Sequence, residues 1–315
     1  MTKRVLLTGA TGFVGSALAD ILTRTPGVAL TLLTHPSRDG REDRPHLTAD
    51  LTNTGSVAEA LSRSQPEFIV HAAGRVQGNA LQLFSDNTVT TVALADAIRE
   101  AAPRAVLIAL GSAAEYGRSA AEGPVAEDAP LRPSTVYGHA KVAAGAYLAA
   151  SAGRGLRYSL LRVFNLIGQV NTPAQVVGAF ISKATPLYSL TSPRVVELGR
   201  LDAVRDFITL NDLGRVIVRL IDRGDWGHVL NVCSGEGRRV RDLITFLVHH
   251  SGRDYKIIER GDPPTAEDVF IGDPTRLRAL VGRTELESVE AVLADAWSRA
   301  LMLQDALTEE RGAAP

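Results

Sequence analysis

Thr8-Gly9-Ala10-Thr11-Gly12-Phe13-Val14-Gly15 is the stretch on which the fold turns. The apolar residues Val5, Leu6 and Leu7 lead into it, and Ser16–Thr23 follows with Ala17, Leu18 and Leu22 at helical spacing. Strand, glycine-rich turn and helix in that order make a dinucleotide-binding unit. Gly9 permits the tight turn, Gly12 lets backbone approach a pyrophosphate, and Gly15 allows helix and strand to pack closely. The phosphates then meet free N–H groups at the positive end of the helix dipole. Thr11, Phe13 and Val14 complete the loop that would touch the cofactor. Glycines alone would say little, since turns are glycine-rich everywhere; the context gives them meaning.

Outward from this motif, strand and helix signals alternate, which predicts an α/β fold with a Rossmann-like, doubly wound parallel sheet. Val28–Leu33, a third strand ending before Asp50-Leu51, Phe68–His71, Ala105–Leu110 and Tyr158–Phe164 read as strands. Val57–Ser62, Thr88–Glu100 and the Ala-rich Ser134–Ala152 read as helices. After Asn165 the pattern loosens, and residues 169–210 mix Pro, Gly and Ser with short apolar pieces. Leu213–Ile221, Val240–His250 and Val289–Leu301 have helical spacing, Val229–Val232 reads as a buried strand, and a loop runs from Gly252 to Thr265. The expected division is a dinucleotide-binding domain over 1–165, with 206–235 returning to it, and a smaller interleaved substrate domain from 166–205 and 236–315.

Composition narrows the function. In 315 residues, 45% hydrophobic against 22% charged, there is ample apolar material for a large core. A formal net charge of −1 leaves no electrostatic footprint for nucleic acid or an anionic membrane. An anionic ligand must be held by a few placed groups. Cys233 is the single cysteine, so neither a disulfide framework nor a cysteine-rich metal site is expected. No apolar run near the N-terminus reads as a secretory signal, and none has the roughly 18 residues of a spanning helix. A cytoplasmic protein without a metal is expected.

The second strand bears on the choice of dinucleotide. An enzyme using NAD usually ends this strand on an acid that binds the ribose hydroxyls. Here Leu33 runs into Thr34-His35-Pro36-Ser37-Arg38, with no acid before Asp39. Thr34, Ser37 and Arg38 could accept a 2′-phosphate, so NADP(H) is expected over NAD(H). A solvated loop that happens to contain arginine is the plainer alternative. Asp50 with Leu51 could meet the adenine. The small residues Ala72 and Ala73 after His71 would let backbone pass close to the cofactor.

Chemistry is carried by Ser112, Tyr137 and Lys141. Tyr137 and Lys141 stand four apart in Tyr-Gly-His-Ala-Lys, hence on one helical face. An ammonium there should stabilise phenolate and lower the tyrosine pKa from roughly 10, so that the hydroxyl exchanges protons near neutrality. Lys141 could also hold the nicotinamide ribose. Ser112, just past the strand Ala105–Leu110, could give the same substrate oxygen a second hydrogen bond.

In this combination the chain resembles the extended short-chain dehydrogenase/reductases, the NAD-dependent epimerase/dehydratase type. The residues that carry the likeness are Thr8–Gly15, Asp50-Leu51, His71–Ala73, Asn87, Ser112–Gly117, Tyr137–Lys141, Arg162–Gly168 and Arg205-Asp206-Phe207. Leu131-Arg132-Pro133, Leu201–Phe207 and Val229–Gly235 are most similar to the GDP-4-keto-6-deoxymannose reductases and related 4-ketoreductases. The resemblance implies a nucleotide-sugar substrate. It implies Asn87 as a support of the catalytic helix and cofactor region, and Phe164 at the cofactor. It also implies Asn165 near the sugar-nucleotide phosphates, and Arg205 on the diphosphate. An ion pair of Arg205 with Asp206 is the plainer reading. Relatives dimerise through helices matching Thr88–Glu100 and Ser134–Ala152, so a homodimer is expected.

The departures are as informative. Family dehydratases carry acids where this chain has Ala113 and Ala114, and methyl groups can neither remove a C5 proton nor protonate a leaving hydroxyl. No cysteine lies near Ser112, as it does in the epimerase-reductases of the fucose type. The usual Arg-Pro-x-Asp run is poorly kept at Arg260-Gly261-Asp262-Pro263-Pro264. The expected function is therefore reduction of a 4-keto group on a nucleotide-linked (6-deoxy)hexose with Tyr137 as proton donor. A 4-epimerase retaining NAD, a reductase of a non-sugar carbonyl and a sensor without turnover remain as alternatives.

Overall fold

The structure, a computed structural model, describes residues 2–37, 44–117, 123–168, 176–188, 194–260, 268–282 and 286–312. Its first half alternates strand and helix. The strands are β1 (Lys3–Thr8), β2 (Val28–Thr34), β3 (His46–Thr48), β4 (Phe68–His71), β5 (Val106–Ser112) and β6 (Arg157–Val163). Between them lie α1 (Phe13–Arg24), α2 (Thr54–Ser64), α3 (Ala80–Phe84), α4 (Thr90–Ala101) and α5 (Val136–Ala152). A single π-turn over Ser85–Val89 joins α3 to α4. The helix read from the sequence over Thr88–Glu100 thus begins inside this turn.

The second half holds α6 (Val176–Ala184), α7 (Leu210–Arg223), α8 (Val240–Ser251), α9 (Thr275–Val281) and α10 (Val289–Gly312). Its strands are β7 (Asn165–Ile167), β8 (Val195–Leu198), β9 (Val204–Thr209), β10 (Val229–Val232), β11 (Gly237–Arg239), β12 (Lys256–Glu259) and β13 (Val269–Phe270).

Seven strands form one parallel sheet in the order β10-β6-β5-β4-β1-β2-β3. Helices cover both faces, so the central strands carry apolar runs and successive side chains divide between two cores. Leu7, Val70 and Ile108 pack with Leu18 and Leu22 of α1 and Ile217 and Leu220 of α7. Leu6, Ile69 and Leu107 pack on the other face with Leu61 of α2, Leu94 of α4 and Leu148 of α5. The strand order reverses between β1 and β4, the switch point at which such sheets bind ligands.

A smaller mixed sheet, β11-β9-β13 with β7 beside β9, and a two-stranded pair of β8 and β12 make up the second part. Their core gathers Phe180, Leu243, Leu247 and Leu293 around Trp297, on which Phe180 stacks at 6.0 Å. Within the segment 206–235, β10 joins the main sheet beside β6 and α7 packs on α1, whereas Val204–Thr209 belongs to the smaller sheet. The 169–210 stretch that looked irregular contains α6, β8 and β9, and the loop expected from Gly252 contains β12. Each of these pieces is short and settles only against partners distant in sequence.

Candidate active site

The β1–α1 turn has the packing its glycines suggested. Gly9 has φ +74°, and a Cβ there would lie 2.5 Å from the backbone nitrogen of Ala73. A Cβ at Gly15 would lie 2.0 Å from the Gly9 carbonyl oxygen. Gly12 caps α1 without any side-chain bond to the first turn, which carries no acid. Backbone N–H groups and the dipole at that helix end therefore face whatever binds there.

Beyond β4, a directed chain of hydrogen bonds ties this turn to the loop across from it. Ala73 N–H donates to the Thr8 hydroxyl at 3.3 Å, and Thr8 donates to His71 Nδ1 at 2.8 Å. His71 Nε2 meets the Thr91 hydroxyl at 3.1 Å, which itself donates to the Asn87 carbonyl at 2.7 Å. With its own proton given to Asn87 O, the Thr91 hydroxyl accepts from His71 Nε2–H, so the neutral ring that burial favours leaves Nδ1 to accept from Thr8. Burial, with Lys141 adding to it, pushes its pKa down to about 3. Asn87 is buried in the π-turn and clamps the same loop: its amide donates to Arg75 O at 2.7 Å and Leu83 O at 2.8 Å, and its oxygen accepts from Arg75 N at 3.2 Å.

Ser112 ends β5, and Tyr137 and Lys141 lie on the first turns of α5, started by Thr135 bonding to Gly138 N. The Ser112 hydroxyl accepts from Ala114 N–H at 3.1 Å and lies near enough to the Tyr137 hydroxyl to act on its pKa. Lys141 Nζ lies 6.0 Å from the centre of the Tyr137 ring. Burial lowers the Lys141 pKa to about 8, against the opposing pull of Glu115. The depressed tyrosine pKa expected from the sequence is not what this environment gives. Burial raises it, Glu115 raises it further, and the Ser112 hydroxyl lowers it without prevailing.

A cavity of about 970 Å³ gathers these groups. Gly12, Phe13 and Val14 line it from the glycine turn; Ala72, Ala73 and Asn87 line it beyond β4. Ser112, Tyr137 and Lys141 share it with Phe164, Asn165 and Arg205. Gly9 and Gly15 act behind that surface as packing positions. Asn165 donates to the Asp206 carbonyl at 2.8 Å, and the Arg205 guanidinium reaches the carbonyls of Val204 and Asp268. Asp206 is fully buried and accepts from Ser234 N–H and Oγ, Gly235 N–H and Gly272 N–H at 2.7–3.2 Å. The Arg205–Asp206 pair is thus replaced by opposite roles, because neighbours on a strand point to opposite faces.

The residues proposed for a 2′-phosphate are less well gathered. Thr34 is buried and its hydroxyl turns to Leu47 O at 3.4 Å, since β3 closes over it. Ser37 is exposed and bonds to His35 Nδ1 at 2.8 Å; Arg38 lies outside the described residues. Asp50 accepts from Thr52 N–H and hydroxyl, which hold its pKa low, and Leu51 is half-buried beside the second core face. The poorly kept run after Arg260 likewise falls largely outside the description, at 261–267.

Two residues missed by sequence reasoning complete the site. Phe270 of β13 lines the cavity and stacks on Phe164 at 5.4 Å. Glu115, fully buried, accepts from Ser112 N–H at 2.8 Å and from Arg162 Nε at 2.9 Å. Phe270 carries no local signal; Ser112-x-x-Glu115 is a local capping pattern, but the pairing of Glu115 with Arg162 comes from a distant strand.

Comparison with known proteins agrees with this arrangement. The profile of the family described as NAD dependent epimerase/dehydratase matches residues 5–233. A dTDP-6-deoxy-L-talose 4-dehydrogenase (NAD(P)(+)) from Kitasatospora kifunensis is 29% identical over 306 residues, 94% of this chain and 95% of that one. A UDP-glucose 4-epimerase from Corynebacterium glutamicum is 27% identical over 328 residues, covering 96% and 97%. The structure of RMD from Pseudomonas aeruginosa complexed with NADPH superposes with a TM-score of 0.82 at 25% identity, covering 96% and 100%. With its Rossmann-like sheet, glycine turn and Ser112, Tyr137 and Lys141 in one cavity, the chain belongs to the NAD dependent epimerase/dehydratase family.

Proposed function

We propose that this protein uses NADPH to reduce a 4-keto group on a nucleotide-linked 6-deoxyhexose. The observation that carries the reading is the convergence of Ser112, Tyr137 and Lys141 in one cavity with the Gly12 turn and Arg205. The turn suits a dinucleotide: no side chain caps α1, and backbone alone can occupy Gly9 and Gly15. Gly12, Phe13, Val14, Ala72, Ala73, Lys141 and Phe164 would hold it, and when bound its nicotinamide supplies the hydride. Tyr137 gives its proton to the keto oxygen as charge develops there, and Ser112 gives that oxygen a second hydrogen bond. Lys141 places positive charge beside the phenolate left behind. Arg205 and Asn165 fix the substrate's diphosphate, so the ring is held for transfer.

Elimination has no acid or base to run it: Ala113 and Ala114 offer methyl groups, and Glu115 is turned into the core against Arg162. The likeness to a UDP-glucose 4-epimerase supports a second reading, epimerisation with retained NAD. Purified protein should therefore be incubated with 4-keto-6-deoxyhexose nucleotides and, separately, with intact hexose nucleotides, following cofactor absorbance and product mass. NADPH consumption with the former supports reduction. Interconversion of hexose nucleotides without net cofactor change would give the case to the epimerase, and loss of water from them would refute the exclusion of dehydration.

The cofactor part is assigned to 1–165 with α7 and β10, and the substrate part to the remainder. A homodimer across α4 and α5 goes with this reading, and light scattering that finds a monomer at working concentration would remove it.

A further inference from the structure

We propose that Glu115 is a positioning residue for Ser112 and Lys141, a buried anion that aims the serine hydroxyl and keeps the lysine charged. The proposal rests on the roles given above to Ser112, Tyr137 and Lys141.

Glu115 is 0% exposed, and its two oxygens have different tasks. One accepts from Ser112 N–H at 2.8 Å, closing a reciprocal cap in which Ser112 Oγ accepts from Ala114 N–H at 3.1 Å. With that acceptor site filled, the single Ser112 proton is directed to Tyr137 or to a substrate oxygen. The other oxygen accepts from Arg162 Nε at 2.9 Å, and Arg162 Nη1 is fastened to Tyr116 Oη at 3.0 Å and Glu127 O at 2.9 Å. A Cβ on Gly111 would come within 2.5 Å of Glu115, and one on Gly145 of α5 within 3.9 Å, so the carboxylate sits wedged between β5, β6 and the catalytic helix.

The groups facing it are Arg162 from β6, Tyr116 from its own turn and Lys141 and Tyr137 from α5. His71 on β4 faces Lys141 and is neutral. Burial works to discharge Lys141, and the Glu115 carboxylate opposes that. The same charge holds the Tyr137 proton in place. Neutralising Glu115 should make both groups lose their protons at lower pH.

The test is Glu115→Gln, read in two ways. Acetylation of Lys141 by acetic anhydride, followed by peptide mass spectrometry across pH, reports its ionisation without any substrate, with Lys3, Lys183 and Lys256 as internal references. Its midpoint should lie near a pH of about 8 in the wild type and fall in the variant. Where the reductase assay responds, kcat should drop about tenfold with cofactor KM unchanged, and the alkaline limb of its pH profile should move to lower pH. A role in stability alone would scale kcat without moving either midpoint. Should Glu115→Gln fail to fold, Glu115→Asp keeps the charge but draws it back from Ser112 and α5, and the Lys141 midpoint should again fall, by less. An unmoved Lys141 midpoint overturns the proposal even if the protein is an active reductase. A lowered midpoint without turnover of any ketosugar would instead discard the substrate assignment and leave Glu115 in its role.

Discussion

Lys141 Nζ donates to the carbonyl oxygen of Leu110 at 2.9 Å, joining helix α5 to the strand that ends in Ser112. The lysine is anchored at strand β5 rather than at the tyrosine hydroxyl, and its charge acts from beside the phenol ring. A bond between residues 31 apart in sequence thus fixes α5 against the strand end that carries Ser112.

If Tyr137 is the proton donor, Tyr137→Phe should fold normally and bind cofactor as before, since only the hydroxyl is removed. Turnover should fall by about 100- to 10,000-fold. Steady-state rates beside a thermal melt and a cofactor titration decide it; near-full activity would assign the proton to another group.

NADPH should bind more tightly than NADH. No acid ends β2, and Ser37 is exposed just beyond it. Thr34 should contribute little, because its hydroxyl faces Leu47. Fluorescence titration with both reduced cofactors measures the ratio, and equal affinity or a preference for NADH would remove the phosphate pocket.

His71 should make the fold acid-sensitive. Its folded pKa of about 3 lies below the ordinary histidine value of 6.5, so the unfolded chain takes up the proton first as pH falls. Stability from this group is present above pH 6.5 and is lost as pH falls toward 3, on the order of 1.4 kcal/mol per pH unit. Denaturant melts at several pH values should show the slope in the wild type and a shallower one in His71→Gln. Parallel slopes would mean that the histidine can charge in place.

Gly15→Ala should be severe for so small a change. The added carbon would lie 2.0 Å from the Gly9 carbonyl oxygen, facing the Gly9–Ala10 backbone with nothing flexible to yield. A loss of about 3 kcal/mol is expected, with weaker dinucleotide binding because the turn must open. Urea denaturation and cofactor titration test the two effects separately; a variant as stable as wild type would show that helix and strand can part at no cost.

The sequence by itself determined the class of fold and singled out Ser112, Tyr137 and Lys141, which the fold gathers in one cavity. Phe68–His71 and Val229–Val232 read as strands over the same residues that form β4 and β10, because a strand buried on both faces must be apolar along its length. The Gly9–Gly15 turn and the Tyr137/Lys141 spacing were legible because both depend on neighbours within one helical turn. The tertiary structure decided what depends on distant partners. The short strands β7, β8 and β9 take form only in sheets assembled from remote segments, and Asp206 becomes a buried clip because Ser234, Gly235 and Gly272 converge on it. The sequence shows Tyr137 and Lys141 as neighbours, but only the fold encloses them. Burial then raises the tyrosine pKa and lowers that of the lysine, since charge is costly where water is excluded. Glu115, directly after Ala114, meets Ser112 N–H through a local cap, but its burial against Arg162 is decided by β6, and no spacing within the chain announces that meeting.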